Sequence, residues 1–539
     1  MPPYLACTFS LFYLDLTKIG GVSTGRTCDG YYQQLDGHSQ LAHRPLGAAA
    51  GGRMSMIDVA STAPSASLYW ISPVSYGDAL EARSLLFFKE RTIGQLQAFF
   101  PDNFWDSHVL QLALSQDCIR HAVVSLSMHH ERYMRRKHLS GQDVGRAATA
   151  AFDPDHAFAL RQNNLAIRSL LACNDPSLAL RVHLVSCLIF ICIESLQGEI
   201  RSAIRLFKHG LSMVKAMQTR TVEAAAPPET LSMSVRSFIP SHTSPSTPKS
   251  DHNTVEPESR LSSAASSSSD DIIPAIVEFL GRFAVQVSLL AGDIDPELSI
   301  GILASASPQS SLSPTTRFHS LLDARESIMN LAIHVLSGAP SAVVGDGFLE
   351  SAAQKLGWWA SAFEHLVEEH GPSLSKRGVA LLELHKRYLA AHLKVPNTSD
   401  RRFLGEDVDE FATLVSLAEN ILVSGSGGTL PTHFHMDLGV VPVMFSTVLR
   451  CWDPVVRRRA LAVLRNNRLQ EGIWDSSLTL RAAERIVMLE ESSVSVAGAD
   501  FPAVPQRVQT ITLQMDSDEK KANLRYELDS HTFQEAVNW

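Results

Sequence analysis

This chain's sequence predicts an all-α fold: a multi-helix domain of antiparallel helical hairpins with a disordered insertion and a short C-terminal β-hairpin. Three observations predict it. Apolar residues recur at i, i+3, i+4 and i+7 through most of residues 79–495, the period of a helix with one buried face. Alternation with period two is confined to the C-terminal end, at Ile511, Leu513, Met515 and then Ala522, Leu524, Tyr526, Leu528. Two stretches, residues 32–78 and 223–271, have no sustained period and are rich in Ser, Pro, Gly and Ala.

Taken in order, folded sequence begins near Ala79. A helix is predicted over Cys118 to Tyr133, with Ile119, Ala122, Val123 and Leu126 on one face and Asp117 as its cap. Another follows Asp153-Pro154, because proline is tolerated in the first helical turn. Residues 178–217 read as a helical hairpin. Its first helix is apolar nearly all round and should be central, with Ile189 and Phe190 in the core. Gly198 breaks it, and Ile200, Ala203, Ile204, Phe207, Leu211 and Val214 form one stripe on the second helix. Ala203 and Gly210 leave room for close approach. Helical patterns resume at Ile272 and continue as Phe318–Leu336, Ala352–Glu369, Lys376–Lys394, Val408–Leu422, Leu438–Cys451, Pro454–Arg465 and Leu478–Leu489. No fixed repeat period runs along the chain.

The expected organisation is therefore residues 1–31, a flexible arm over 32–78, helical halves over 79–222 and 272–495 flanking the insertion 223–271, and a tail over 496–539. Across 539 residues the net charge is −9, and no segment is strongly basic, which argues against tight nucleic-acid binding by the helical part. Seven cysteines without paired spacing suggest buried thiols in a reducing compartment. The longest apolar run, Leu184 to Ile193, is interrupted only by Ser186. It falls short of the ~20 residues of a membrane span, so no membrane partner is expected.

Chemistry-bearing candidates are few. His433, His435 and Asp437 have a spacing compatible with a metal, although a polar loop is the better-supported reading. His121, His129, His130 and Glu131 contain no His-Glu-x-x-His pattern and read as surface or capping residues. Ser424 to Gly428 is a flexible loop rather than a nucleophile elbow. Trp358-Trp359 fit core packing better than a ligand pocket, given Leu356, Phe363 and Leu366 at helical spacing. Arg132, Arg135, Arg136 and Lys137 form a basic cluster at a helix end, where import and dipole roles are both open, and Arg457-Arg458-Arg459 reads the same way. With no nucleophile–base or metal constellation, no catalytic residue is assigned and an enzyme is not expected.

Thr24-Gly25-Arg26-Thr27-Cys28-Asp29-Gly30-Tyr31 resembles the last segment of the fungal binuclear zinc cluster, a DNA-binding module in which six cysteines hold two zinc ions. Cys28 matches the sixth cysteine; Gly21 and Lys18 stand where the fifth and fourth would be. Cys28 is thus a remnant ligand, and residues 1–31 a remnant of the module, through a gene-model error or true loss. As written, the chain is expected to bind no cofactor, with zinc entering only if the missing cluster is restored. Several later segments resemble the regulatory region of the same family: Phe104-Trp105, Ile119 to Glu131, the hairpin 184–214, Asp437 to Pro442, Asp453 to Leu461, and Glu471 to Asp475. The resemblance implies a nuclear transcription regulator of RNA polymerase II type with an all-helical regulatory domain. Its expected partners are the transcription machinery or protein co-regulators, DNA only with a complete cluster, and a second copy in a homodimer. The alternative is a helical interaction scaffold without DNA binding.

Overall fold

A computed structural model describes residues 12–14, 79–138, 153–172, 176–225, 272–291, 312–336, 347–394, 407–423, 434–495, 508–516, 521–528 and 532–538. Cys28, the whole arm 32–78, residues 226–271 of the insertion, Ser424 to Gly428 and His433 lie outside them.

Helices dominate what is described. Strand β1 (Phe12–Leu14) comes first in the chain, followed by α1 (Ala79–Phe87), the short α2 (Ile93–Leu96), α3 (Leu110–Ser115) and α4 (Asp117–His138). The α1–α2 and α2–α3 passages run through π-helical turns at Phe88–Thr92 and Phe104–Val109. Asp117 is the first residue of α4 rather than its cap, and pairs with Arg120 one turn on at 2.7 Å. Helix α5 (Pro154–Leu171) begins at the Asp-Pro step: the Asp153 carboxylate accepts from the backbone N–H of Asp155 and His156. It packs on α4 through Val124, Met128, Phe158 and Ala159.

The hairpin comprises α6 (Pro176–Gln197) and α7 (Ile200–Ala225), turning at Gly198 with φ 77°. Helix α7 runs three residues into the interval predicted as insertion. All six residues of its stripe are buried. On α6, Ile189 is buried, whereas Phe190 is only half-buried, so the helix is less centrally enclosed than its composition predicts. A Cβ at Gly210 would meet the side-chain ends of Leu280 at 3.3 Å and Cys187 at 3.4 Å, a close helix approach. Helix α8 (Ile272–Ala291) packs on this hairpin, with the Phe207 and Phe283 rings 5.3 Å apart. Helices on either side of residues 226–271 therefore share one core. Two apolar stretches, Ala179–Gln197 and Ile272–Leu290, reach the length of a membrane span, longer than the uninterrupted run suggested; 61% and 78% of their residues are buried inside the protein.

Beyond α8 come α9 (Leu321–Leu336), α10 (Gly347–His370), α11 (Lys376–Leu393) and α12 (Val408–Val423). Trp359 of α10 is fully buried, stacks on Phe363 at 4.8 Å and donates its indole N–H to the Ala324 carbonyl at 2.9 Å, as core packing requires; Trp358 is half-buried. Then follow β2 (Phe434–His435), α13 (Val441–Arg450), α14 (Pro454–Asn466), β3 (Gln470–Glu471), β4 (Trp474–Asp475) and α15 (Ser476–Ser495). A second Asp-Pro start opens α14, where Asp453 accepts from Val455 and Val456.

The strands exceed expectation. β5 (Val508–Asp516) and β6 (Lys521–Leu528) form the predicted hairpin, with Ile511 opposite Tyr526 and Leu513 opposite Leu524. An antiparallel β7 (Thr532–Asn538) extends it, and β1 pairs with β5 in parallel, giving the order β1-β5-β6-β7. The backbone N–H of Val508 donates to Glu490 of α15 at 3.1 Å, and Glu490 also pairs with Arg457 at 2.6 Å, fixing the sheet to the helices. A second sheet, β2-β3-β4, consists of two-residue strands too short for any alternation to show in sequence.

Candidate functional site: a buried polar junction

Two of the segments that carried the family resemblance, Asp437 to Pro442 and Glu471 to Asp475, meet inside the protein. Residues 434–441, the β3–β4 turn, α8, α9, α11 and the Gln95–Phe100 stretch meet around a buried polar cluster. Its centre is Glu471, 2% exposed, whose two carboxylate oxygens accept from the backbone N–H groups of Val440 at 3.0 Å and Val441 at 2.8 Å. Those amides belong to the first turn of α13, where orphan N–H groups and the helix dipole both favour an anion. The carboxylate lies so close that a Cβ on Gly439 would sit 2.3 Å from it.

Gln286 of α8 ties the cluster together. Its amide nitrogen donates to the Met436 carbonyl at 2.7 Å, and its amide oxygen accepts from Ile473 at 3.3 Å. Gly472 occupies the β3–β4 turn at φ 54°, and a Cβ there would fall 1.9 Å from the Gln286 oxygen. Both backbone and space therefore demand glycine. The Gly472 N–H donates to the His435 carbonyl at 2.8 Å, and Trp474 donates its indole N–H to the Gln286 carbonyl at 3.3 Å.

Charges are matched alongside. Asp437, 5% exposed, lies 3.3 Å from both Arg282 of α8 and Arg325 of α9, and both guanidiniums also reach Glu326, at 2.5 and 2.8 Å. The arginines are covered by aromatic rings: Arg325 stands over Phe100 at 4.8 Å and Arg282 over Phe279 at 6.0 Å. Burial alone would favour a neutral Arg282, but Glu326 and Asp437 outweigh it and raise its pKa. His385 of α11 donates from Nε2 to the Leu438 carbonyl at 2.9 Å, and complete burial pushes its pKa down to about 4. The first half of the chain closes the cluster from the other side. Gln95 accepts from Phe434 N–H at 3.3 Å, Phe99 meets the His435 ring at 5.0 Å, and His130 meets Phe434 at 5.6 Å.

This placement corrects several expectations. His435 and Asp437 are in the core: His435 lies 3.6 Å from Glu471, and Asp437 is neutralised by two arginines rather than directed at a cation. Among the described residues no group of three or more His, Cys, Asp or Glu is arranged to hold a metal. His129 and His130 are buried, not surface or capping residues; His130 accepts or donates at the Thr92 hydroxyl, 2.9 Å away, and His121 meets Gln162 at 2.6 Å. Arg132 and Arg135 are bound to Asp153 and Asp155 at the start of α5, so that part of the basic cluster staples two helices. Arg457 is buried against Glu490 and Arg459 pairs with Glu419, while Arg458 is exposed; the triplet lies in the first half of α14 rather than at a helix C-terminus. Gln286, Arg282, Arg325 and His385 belong to no motif in the sequence, and Glu471 stands out there only as part of a family-like segment, without a role. A signal existed for the α8 pair: Arg282 and Gln286, four apart, interrupt a helix that is otherwise almost wholly apolar.

The surface also carries a groove of about 480 Å³ between α10, α11 and the start of α12, floored by Leu356, Gly357, Ala360, Ala390 and Leu393. Its rim charges are already matched: Lys386 and Arg387 to Glu383, Arg387 to Glu410, and Lys394 to Asp407. Cys118, Cys187, Cys192 and Cys451 are buried and in no disulfide, and burial raises the pKa of Cys187 to about 12. The polar junction is thus a buried network in which ion pairs and hydrogen bonds to backbone groups hold distant segments together.

Comparison with known proteins finds similarity to a transcription regulator. The chain is 22% identical over 606 aligned residues, covering 94% of it and 89% of the relative, to the aspercryptin biosynthesis cluster-specific transcription regulator of Emericella nidulans. No protein-family model matches the chain. No solved structure matches it.

Proposed function

We propose that this protein is a fungal transcription regulator of the zinc-cluster type, acting in the nucleus on a coordinately controlled set of genes without catalysing a reaction. The observation that carries the reading is the similarity to a cluster-specific regulator over nearly the whole of both chains, which includes the helical domain and its junction. The zinc-cluster remnant at Cys28 supports the finer assignment. In this reading the helical domain is a platform for co-regulators, and the polar junction keeps its surface in one arrangement. Expression should be profiled after deletion and after overproduction of the gene in its own fungus, with chromatin occupancy mapped in parallel. A defined gene set that changes in opposite directions supports the proposal. Unchanged transcripts in both strains would sink it.

A second reading, a helical scaffold that reaches DNA only through partners, draws on the lone zinc-type cysteine. Direct binding of purified protein to the occupied promoters, measured at physiological salt, separates the two: retention favours the DNA-binding regulator, and its absence favours the scaffold.

A further inference from the structure

Helix α7 has an apolar side and a basic one. From Ile200 to Met217 it holds no Asp or Glu, and its bases are Arg201, Arg205, Lys208 and Lys215. The buried stripe from Ile200 to Val214 takes one side. On the other, steps of four, three, four and three join Arg201, Arg205, Lys208, Ser212 and Lys215 into one row along the helix. Arg205, Ser212 and Lys215 are exposed, while Arg201 and Lys208 are half-buried. Elsewhere the domain pairs such groups: Arg120 with Glu81, Arg132 with Asp153, Arg459 with Glu419 and Arg465 with Glu484. Arg201, Arg205 and Lys208 form no ion pair among the described residues; Arg205 donates instead to the Ser202 hydroxyl at 3.0 Å, and Nε of Arg201 is buried without a partner. Burial, and then the charge of Glu199, raise the pKa of Glu194, the acid beside Arg205, to about 7, so it is partly neutral at neutral pH. Like charges one turn apart repel, and Arg201 stands in the first turn, where the helix dipole disfavours a cation. The row works against the stability of its own helix, so stability does not account for it.

On the reading of the helical domain as a platform for co-regulators, we propose that this row is a docking surface for an acidic, amphipathic helix of a partner protein, with carboxylates at the same alternating spacing. Charge complementarity sets the sign of the partner, and the straightness of the row sets its shape. A helix laid alongside brings one carboxylate against each cation, as flanking charges do in a coiled coil. Exposed Ala216 and half-buried Met213 border the row, where the partner's apolar side chains can rest. Packing of the stripe on α6 and α8 holds the row on a rigid support. Duplex DNA fits less well. From Arg201 to Lys215 the row spans about 21 Å. Its cations fall short of the about 6–10 phosphate contacts of an extended DNA-binding surface. The net charge of −9 also repels a long polyanion more than a short acidic segment. An interface of one helix face is small, so binding should be reversible and salt-sensitive.

The test titrates the full chain into labelled peptides and follows fluorescence anisotropy. The matched peptide is a helix former of about 20 residues with Glu in steps of four and three along one face and Leu beside them. One control scatters the same residues round the helix, and another carries Gln for every Glu. The matched peptide should bind about tenfold more tightly than either control and weaken as salt is raised. Arg205→Gln combined with Lys208→Gln should weaken it about tenfold without lowering the thermal midpoint, whereas Arg168→Gln on α5, also exposed, should leave it unchanged. No binding, or equal binding of the matched and scattered peptides, overturns the proposal. So does binding indifferent to the α7 substitutions, which places the surface elsewhere. A short DNA duplex held more tightly than the matched peptide through the same residues would make the row a nucleic-acid contact and overturn it too. Transcript profiling reports separately on the regulator: a chain that controls its genes but ignores the matched peptide loses this docking surface and keeps its function.

Discussion

The hairpin of α6 and α7 and the junction around Glu471 are both buried, yet they are held by different physics. The hairpin meets α8 through apolar contact, Phe207 on Phe283 and Gly210 against Leu280, with no charge involved. The junction is held by directed bonds to backbone groups and by ion pairs with almost no water access. Apolar packing loses stability in proportion to the volume removed. A buried polar network fails more abruptly, because each orphaned group then carries its desolvation penalty without a partner. The junction should therefore be the more brittle of the two.

The largest expected effect is Glu471→Ala. It strands the Val440 and Val441 amides inside the protein, and a loss of about 4–5 kcal/mol is expected, a large part of a typical domain's stability. Chemical denaturation checks this, and a loss under ~1 kcal/mol would mean that water replaces the carboxylate. Phe207→Ala should follow at about 3–5 kcal/mol, through cavity formation rather than unpaired groups. If α8 truly shares this core, the loss appears as one cooperative transition; two separate transitions would break the comparison.

Gly472→Ala should cost about 2–4 kcal/mol, since it combines an unfavourable φ with displacement of Gln286. Reading the double substitution with Gln286→Ala sharpens the point: if the clash dominates, the pair should be less destabilising than the sum of the singles. The hairpin counterpart, Gly210→Ala, meets only side-chain ends at 3.3 and 3.4 Å and gains helix propensity, so a change within about 1 kcal/mol is expected. A large loss there would show that apolar contacts in this protein are as unforgiving as polar ones.

Acid should also discriminate between the two regions. His385 has its folded pKa depressed to about 4 from an ordinary value of 6.5. Below pH 6.5 the unfolded chain takes up a proton that the folded junction refuses, so stability falls as pH drops from 6.5 to 4. The contribution is on the order of 3 kcal/mol, which His385→Gln should remove from the pH profile between those limits. An unchanged slope in the variant would place the acid sensitivity elsewhere.

How much was legible follows from the same contrast. Helix positions were readable because a buried face imposes a 3.6-residue period on apolar side chains, as in the stripe from Ile200 to Val214. The Asp153-Pro154 start was readable because capping is local. Asp117 missed by one place because helix ends are set within a residue or two. The histidines at 129 and 130 misled, since polarity predicts exposure unless a partner from a distant segment satisfies it. The two-residue strands β2, β3 and β4 carry no period at all, and β7 appears only as the edge that completes a sheet.

By itself the sequence determined the all-helical class, the apolar hairpin, the helix starts at Asp-Pro and the terminal strand pair. Each of these rests on interactions within a few residues, or on the periodicity that one buried face imposes. Only the tertiary structure decided that Glu471 would cap α13, that Gln286 would hold the 434–437 segment, and that Asp437 would face two arginines from different helices. Those partners, such as Gln286 and Met436, stand as much as 150 positions apart or more along the chain. No local pattern encodes such a pairing, because a buried polar group specifies that it needs a partner but not which residue will arrive.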